Sequence, residues 1–320
     1  MNSKGFAHPI LIFAILALIL AILLGPTVIK NKSETKSLEN SPTPLALETE
    51  SPSPTPTISP SPTPTITPNP TPKPTLAPTK TPVPTKAPVS GPPGSGYSNI
   101  TVATERGNFS VSVVSIDMSG VRMITDTASD NDCSADCPTL SLADYVSRNS
   151  AFAGINGTYF CPPDYADCAS KKNSFDYPVF NTRLGKWINA TNLFWNDRSM
   201  MYQEGGQMKF RRDAKSGASG SAAIVNAPGL VDGGSIIVEQ FPLTSTQRTK
   251  GTRGGMGIRG NIVYLVVARS ADMIDFAHIF KSLGADSALN LDGGGSSALW
   301  FGGYKVGPGR TLPNAVLFAR

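Results

Sequence analysis

Near the C-terminus the run Asn290-Leu291-Asp292-Gly293-Gly294-Gly295-Ser296-Ser297 concentrates the residue types that can do chemistry. Asp292 ends a short apolar strand, and the three glycines after it leave backbone amides beside the carboxylate with no side chain in the way. That setting suits an acid, a base, an acceptor for a sugar hydroxyl or a metal ligand; taken alone, it also fits a plain hairpin turn. Asn290 alternates with Asp292 and so shares its face of the strand. Ser296 and Ser297 are read as hydroxyls that bond the loop or a ligand, because no base accompanies them. His8 abuts the N-terminal apolar segment, which leaves His278 as the one histidine further along the chain. It lies opposite the Met273, Phe276, Ala277, Phe280 and Leu283 stripe of a predicted helix, so it reads as a surface residue. A histidine-rich metal site is thereby excluded, a Ser-His-Asp triad is not expected, and no G-x-S-x-G elbow occurs. No cofactor is required by the sequence. Calcium or magnesium at Asp292 stays open, although no D-x-D-x-D loop supports it.

The stretch Phe276 to Leu299, FAHIFKSLGADSALNLDGGGSSAL, resembles the signature of the phosphodiester glycosidase family, hydrolases that act on sugar phosphodiesters. Three more blocks stand in the family's order. Thr139 to Phe160 resembles its helix, short strand and Asn-Gly-x-x-Phe turn; Ala223 to Val238 resembles the segment before the core; Gly309 to Phe318 resembles the closing Arg…Asn-Ala strand. One block departs: where the family commonly has Arg-Thr-Ala-x-Gly, this chain has Arg253-Gly254-Gly255-Met256-Gly257, with Arg248-Thr249 as a competing placement. The resemblance implies Asp292 as the catalytic carboxylate. It implies substrate contacts from Asn156, Gly157, Arg253, Asn290, Gly293, Gly294, Gly295, Ser296, Ser297, Arg310 and Asn314.

Those types suit a glycosyl phosphodiester. Phosphate needs planar, bidentate cations or backbone amides, and sugar C–O cleavage passes through an oxocarbenium-like state that usually needs a carboxylate. Beyond the N-terminal tract the only glutamates are Glu105, Glu204 and Glu239, so aspartate is the expected source. Asp232, in Val231-Asp232-Gly233-Gly234, is a candidate second acid that also reads as a turn former. The insertion from Cys161 to Phe175 follows the Asn156 turn and is expected to reshape the site.

The elements that must position these groups are expected in an α+β domain over residues 97–320, a single mixed sheet with a few helices. Strands are predicted at 109–116, 151–155, 261–268, 288–291, 297–301 and 314–319, and helices at 140–149 and 270–283. Cys133, Cys137, Cys161 and Cys168 sit in polar loops, and their even count favours two disulfides in an oxidising compartment. Three pairings are open, and the two local loops are the simplest.

Ahead of the domain, residues 1–8 are read as a cytoplasmic N-terminus. Residues 9–29, which carry no charge, read as a transmembrane anchor or a signal segment; a stretch of this length can cross a hydrocarbon core of about 30 Å. Residues 30–96 form a disordered Pro/Thr/Ser-rich linker. Eighteen of the chain's 28 prolines fall between Pro42 and Pro93, which rules out helix and sheet there and leaves an extended stalk. Much of the net charge of +5 belongs to this N-terminal part, so the domain lacks the basic face of a nucleic-acid binder. Together these features predict a single-pass membrane protein with its C-terminal domain outside the cytoplasm. That domain is expected to hydrolyse a glycosyl phosphodiester in an envelope or exopolysaccharide glycan; the alternative is a noncatalytic glycan-binding module on a stalk.

Overall fold

Strand Ile262–Ala271 begins with seven apolar residues in a row, a pattern that fits burial on both faces. In the computed structural model, which describes residues 87–89, 91–194, 198–216 and 220–320, both faces are covered. Val263, Leu265 and Val267 join one apolar cluster, and Tyr264, Val266 and Ala268 join another on the opposite side. The expected membrane segment and nearly all of the stalk lie outside the described residues. Among those that are described, no helix is long and apolar enough to cross a membrane.

The α+β class holds, with sheet dominant and helices few, but the expected single sheet is three. The first runs in the order Gly96–Thr104, Gly107–Asp117, Ile262–Ala271, Gly251–Arg259, Ser287–Asn290, Gly229–Asp232 and Ser235–Ile236. The second runs Tyr304–Val306, Leu299–Phe301, Ala153–Asn156, Asn314–Ala319 and Arg122–Thr127, and the third Lys186–Ile188, Val179–Asn181, Ala222–Asn226, Ser199–Glu204 and Gln207–Arg211. Named strands pair antiparallel throughout. A single core explains the division: Val114 and Leu265 of the first sheet, Ile155 and Val316 of the second, and Val179 and Ile224 of the third all belong to one apolar cluster. Ahead of the first strand, Val89 bridges Val102, so the fold takes up the chain before residue 96.

The other face of the first sheet is covered by helix Met273–Ser282, which starts at a capping box between Asp272 and Asp275. Its Phe276 and Phe280 rings lie on strand Gly251–Arg259 where that strand has glycine. A β-carbon at Gly255 would come within 2.8 Å of Phe276, and one at Gly257 within 2.8 Å of Phe280. The Arg-Gly-Gly-Met-Gly departure therefore makes room for aromatic rings. His278, on the same helix, is 17% exposed and faces Glu105 at 3.9 Å, so it is less open than a surface residue. Helix Leu142–Arg148 covers the second sheet with Leu142, Tyr145 and Val146. The strand expected at 297–301 is shortened to Leu299–Phe301 because Gly294–Ser296 turns as a 3-10 helix.

One buried carboxylate ties the second sheet to the third and to the end of helix Leu142–Arg148. Asp126, in strand Arg122–Thr127, is inaccessible to solvent. It accepts from Asn149 Nδ2 at 2.7 Å, Asn181 Nδ2 at 3.1 Å and the Thr127 amide at 2.8 Å, and pairs with Arg148 at 2.7 Å. Removing it strands several donors at once. Asp126→Ala is therefore expected to destabilise the domain by about 3 kcal/mol, measured as the shift in urea unfolding at pH 7.

Candidate active site

Asp292 lies where the chain leaves the first sheet, after Ser287–Asn290, and crosses to the second at Leu299–Phe301. Its backbone is held from the second sheet. The Asp292 amide donates to the Gly157 carbonyl at 2.9 Å, and its carbonyl accepts from Asn156 Nδ2 at 2.8 Å. Asn156 Oδ1 accepts from the Ala298 amide at 3.1 Å, so the one side chain grips both ends of the crossing. Asn314 secures the turn below, its Oδ1 accepting from the Thr158 amide at 2.8 Å. A β-carbon at Gly157 would lie 1.8 Å from that oxygen, so only glycine fits. Asn156, Gly157 and Asn314 thus stand behind the cleft, with their polar groups committed to protein.

In front of this frame is a cavity of about 480 Å³ whose wall includes Asp292, Gly293, Gly294, Ser296, Arg253 and Arg310. Half of the expected site residues are thereby brought together. Asn290 lies just behind the wall and donates to the hydroxyl of Tyr159, which does line it. Gly295 packs under the Arg310 guanidinium, where a β-carbon would come within 2.8 Å. Ser297 is buried, and its hydroxyl has no partner among the described residues. Arg253 faces the cavity, whereas Arg248 is exposed at the end of helix Ser245–Arg248. Asp232 forms a hairpin turn with Gly233 and Gly234, both at positive φ, and takes no part in the cavity. A separate cavity of about 330 Å³ beside Cys133 gathers none of the glycosidase-motif residues.

The charges in the wall differ in how they are satisfied. Arg253 is only 7% exposed. Its Nε donates to the Ala271 carbonyl at 3.1 Å, and its Nη2 reaches the carbonyls of Thr246 at 2.8 Å and Thr249 at 2.5 Å. Among the described residues no carboxylate pairs with it. Arg310, by contrast, holds Asp164 in a fork, Nε to Oδ1 at 3.1 Å and Nη2 to Oδ2 at 2.6 Å, with its guanidinium over the Tyr165 ring. That bond keeps the Asp164 carboxyl below its ordinary range. Burial pushes Asp292 the other way, up to about 6, against the stabilising hydrogen bonds of Ser296 and the Gly293 amide and the charge of Arg310.

Both cysteine pairs close as local loops, Cys133 with Cys137 and Cys161 with Cys168. The second loop supplies Pro162 and Tyr165 to the cavity, so the insertion does reach the site. Tyr159, Tyr165 and Lys250, which line the cavity, and Asp164, which pairs with Arg310, were not singled out by residue type; for Tyr159 the available signal was its place inside the Asn-Gly-x-x-Phe turn. Among the described residues no group of three or more His, Cys, Asp or Glu side chains gathers as metal ligands.

A family model described as phosphodiester glycosidase matches residues 149–319, more than half of the chain. No curated protein matches it in sequence. The catalytic domain of zebrafish N-acetylglucosamine-1-phosphodiester alpha-N-acetylglucosaminidase, solved in a form auto-inhibited by its pro-peptide, shares the fold. The TM-score is 0.53 at 14% identity, over 73% of this chain and 87% of that one. A hypothetical protein from Synechocystis aligns at TM-score 0.47 and 14% identity, over 69% of this chain and 61% of that one.

The raised carboxyl makes a stability prediction. Asp292 takes up its proton near 3.8 when unfolded and near 6 when folded, so the folded state binds protons more tightly between those values. Its contribution to stability is full below about pH 4 and is lost as pH rises through 6. Asp292→Asn is expected to flatten that slope and to stabilise the fold at pH 8 by on the order of 1–3 kcal/mol, read from urea unfolding at pH 4 and pH 8.

Proposed function

The chain belongs to the phosphodiester glycosidase family, a hydrolase domain, and on that premise we propose that it cleaves the bond between a sugar's anomeric carbon and a phosphodiester oxygen in an envelope or exopolysaccharide glycan. The observation that carries this reading is Arg253. A guanidinium this deeply buried, balanced by carbonyl dipoles but by no carboxylate, leaves positive charge at a cavity wall that an anion completes. Phosphate matches it in charge, and its oxygens accept from guanidinium N–H groups. Arg310, on the same wall, holds Asp164 in the bidentate arrangement that a phosphate also takes.

Asp292 is the carboxylate beside these cations. Ionised, it supports the positive charge that develops on the sugar ring. Water's oxygen joins the anomeric carbon, and the proton that water gives up passes to Asp292. The C–O bond breaks with its electron pair on the phosphate, which leaves as a monoester. Neutralised by arginine, that phosphate needs no proton to depart. Two disulfides support an oxidising compartment. The apolar segment at 9–29 and the proline-rich stalk support a domain held away from a membrane, where its substrates are polymers.

The test is incubation of the full chain with a sugar 1-phosphodiester and with a teichoic-type polymer. Free sugar is expected to accumulate with time, and kcat/KM to rise with pH through about 6 as Asp292 ionises. Asp292→Ala is expected to lower kcat by at least about 100-fold. Polymer retained without turnover would instead assign a glycan-binding role, and no release across a broad panel would overturn the reading.

A further inference from the structure

We propose that Tyr159 is a substrate-binding residue of the cleft, a hydrogen-bond donor whose proton is directed at the bound phosphodiester by two protein amides. The inference rests on the reading that this cleft holds a sugar phosphodiester. Tyr159 follows the Asn156-Gly157-Thr158 turn, its ring stands 5.9 Å from that of Tyr177, and it lines the same cavity as Asp292 and Arg253. Its hydroxyl oxygen accepts from Asn290 Nδ2 at 2.7 Å and from Gln247 Nε2 at 3.3 Å.

Neither amide can be turned around. The Asn290 nitrogen also donates to the Ala227 carbonyl at 3.1 Å, and a carbonyl only accepts. Gln247 uses its Oε1 to accept the Thr244 amide at 2.9 Å in the capping box of helix Ser245–Arg248, which leaves its nitrogen for Tyr159. Two N–H donors fill the acceptor positions of the phenol oxygen, so its own proton must point elsewhere. Among the described residues nothing accepts it. The arrangement leaves Asn290 Oδ1 buried with no partner among the described residues. A buried amide oxygen left in this way calls for an explanation, and the commitment of Nδ2 to Tyr159 and Ala227 supplies one.

Burial and the charge of Asp292 hold the phenol at about 12, so it stays protonated at any pH the enzyme meets and donates rather than accepts a proton. Arg253 contributes charge and Tyr159 contributes a neutral, oriented O–H. Together they offer two donors of different kinds to one anionic group.

Calorimetric titration of the full chain with glucose 1-phosphate, alongside thermal unfolding, tests the assignment. Tyr159→Phe keeps the ring and removes only the hydroxyl; affinity is expected to fall about 10- to 100-fold with Tm unchanged. Gln247→Glu preserves the capping box but replaces a donor with an acceptor that takes the phenol's proton. It is expected to weaken binding more in the native background than once Tyr159 is phenylalanine, where only the added negative charge opposes the phosphate. The inference is overturned if Tyr159→Phe binds as the native chain does, if its binding and Tm collapse together, or if the two substitutions act additively. Should the native chain bind neither glucose 1-phosphate nor inorganic phosphate, the phosphodiester reading itself fails, and this inference with it.

Discussion

The backbone of Asp292 is pinned at a place where three strands end, and the cleft takes its shape from that pinning. Its amide is held by Gly157, its carbonyl by Asn156, and a β-carbon on Gly254 would sit 2.7 Å from that same carbonyl. No side chain separates the segments, so the backbones approach as closely as hydrogen bonding allows. The carboxylate is thereby carried on strand ends and not on a mobile loop, which is how a reacting group keeps one geometry. The same closeness is served by amide side chains in the second layer, which can accept from one backbone and donate to another in a buried setting. Asn156 does both, and Asn226 repeats the device, donating to the Asn290 carbonyl at 2.9 Å.

Electrostatics in the cleft follow from how each charge reached its place. Arg253 belongs to strand Gly251–Arg259 and is directed at the carbonyls of the 244–249 segment, so its position is set by secondary structure before any ligand arrives. Arg310 lies on a loop and finds its partner on another loop. Asp292 is covered by its own turn and loses solvation faster than its few hydrogen bonds restore it, which raises its pKa. A buried cation held in place before the ligand arrives strengthens the attraction for an anion at its side of the cleft.

Legibility in the sequence tracked the length and regularity of each signal. The apolar run of Ile262–Ala271, the helical period of Met273–Ser282 and the strand Asn314–Ala319 were read close to their observed bounds because pattern and burial agree there. The third sheet was not. Two of its strands, Val179–Asn181 and Lys186–Ile188, are only three residues long, and the sheet forms when Val179–Asn181 pairs with Ala222–Asn226 far along the chain, which no local period records. At the site, Asp292 and the arginines were legible as types that carry charge. The asparagines were legible as important but not as to purpose: an amide that bonds sugar and one that bonds backbone look alike until the fold shows what lies within 3 Å. Tyr159 was hidden for a related reason, since a tyrosine in a turn reads as packing until its hydroxyl is seen held by two donors.

The two sides of the cleft therefore answer to different constraints. One side is made of strand ends and carries Asp292, Arg253 and Tyr159, each oriented by bonds to buried backbone or amide groups. The other is the Cys161–Cys168 loop, which contributes Pro162 and the half-exposed Tyr165 and has little apolar burial of its own. A loop so poor in core contacts would not hold a side chain against Arg310 by packing. Closing it with a disulfide limits how far Asp164 can stray from the guanidinium, and the bidentate bond then orients it. Asp292 and Arg253 are thus anchored to the sheets, while the rim at the Cys161–Cys168 loop is held by its disulfide, by local backbone hydrogen bonds and by the Asp164–Arg310 pair. A change in the loop can alter what enters the cleft, and can shift Arg310 through Asp164, without moving Asp292 or Arg253.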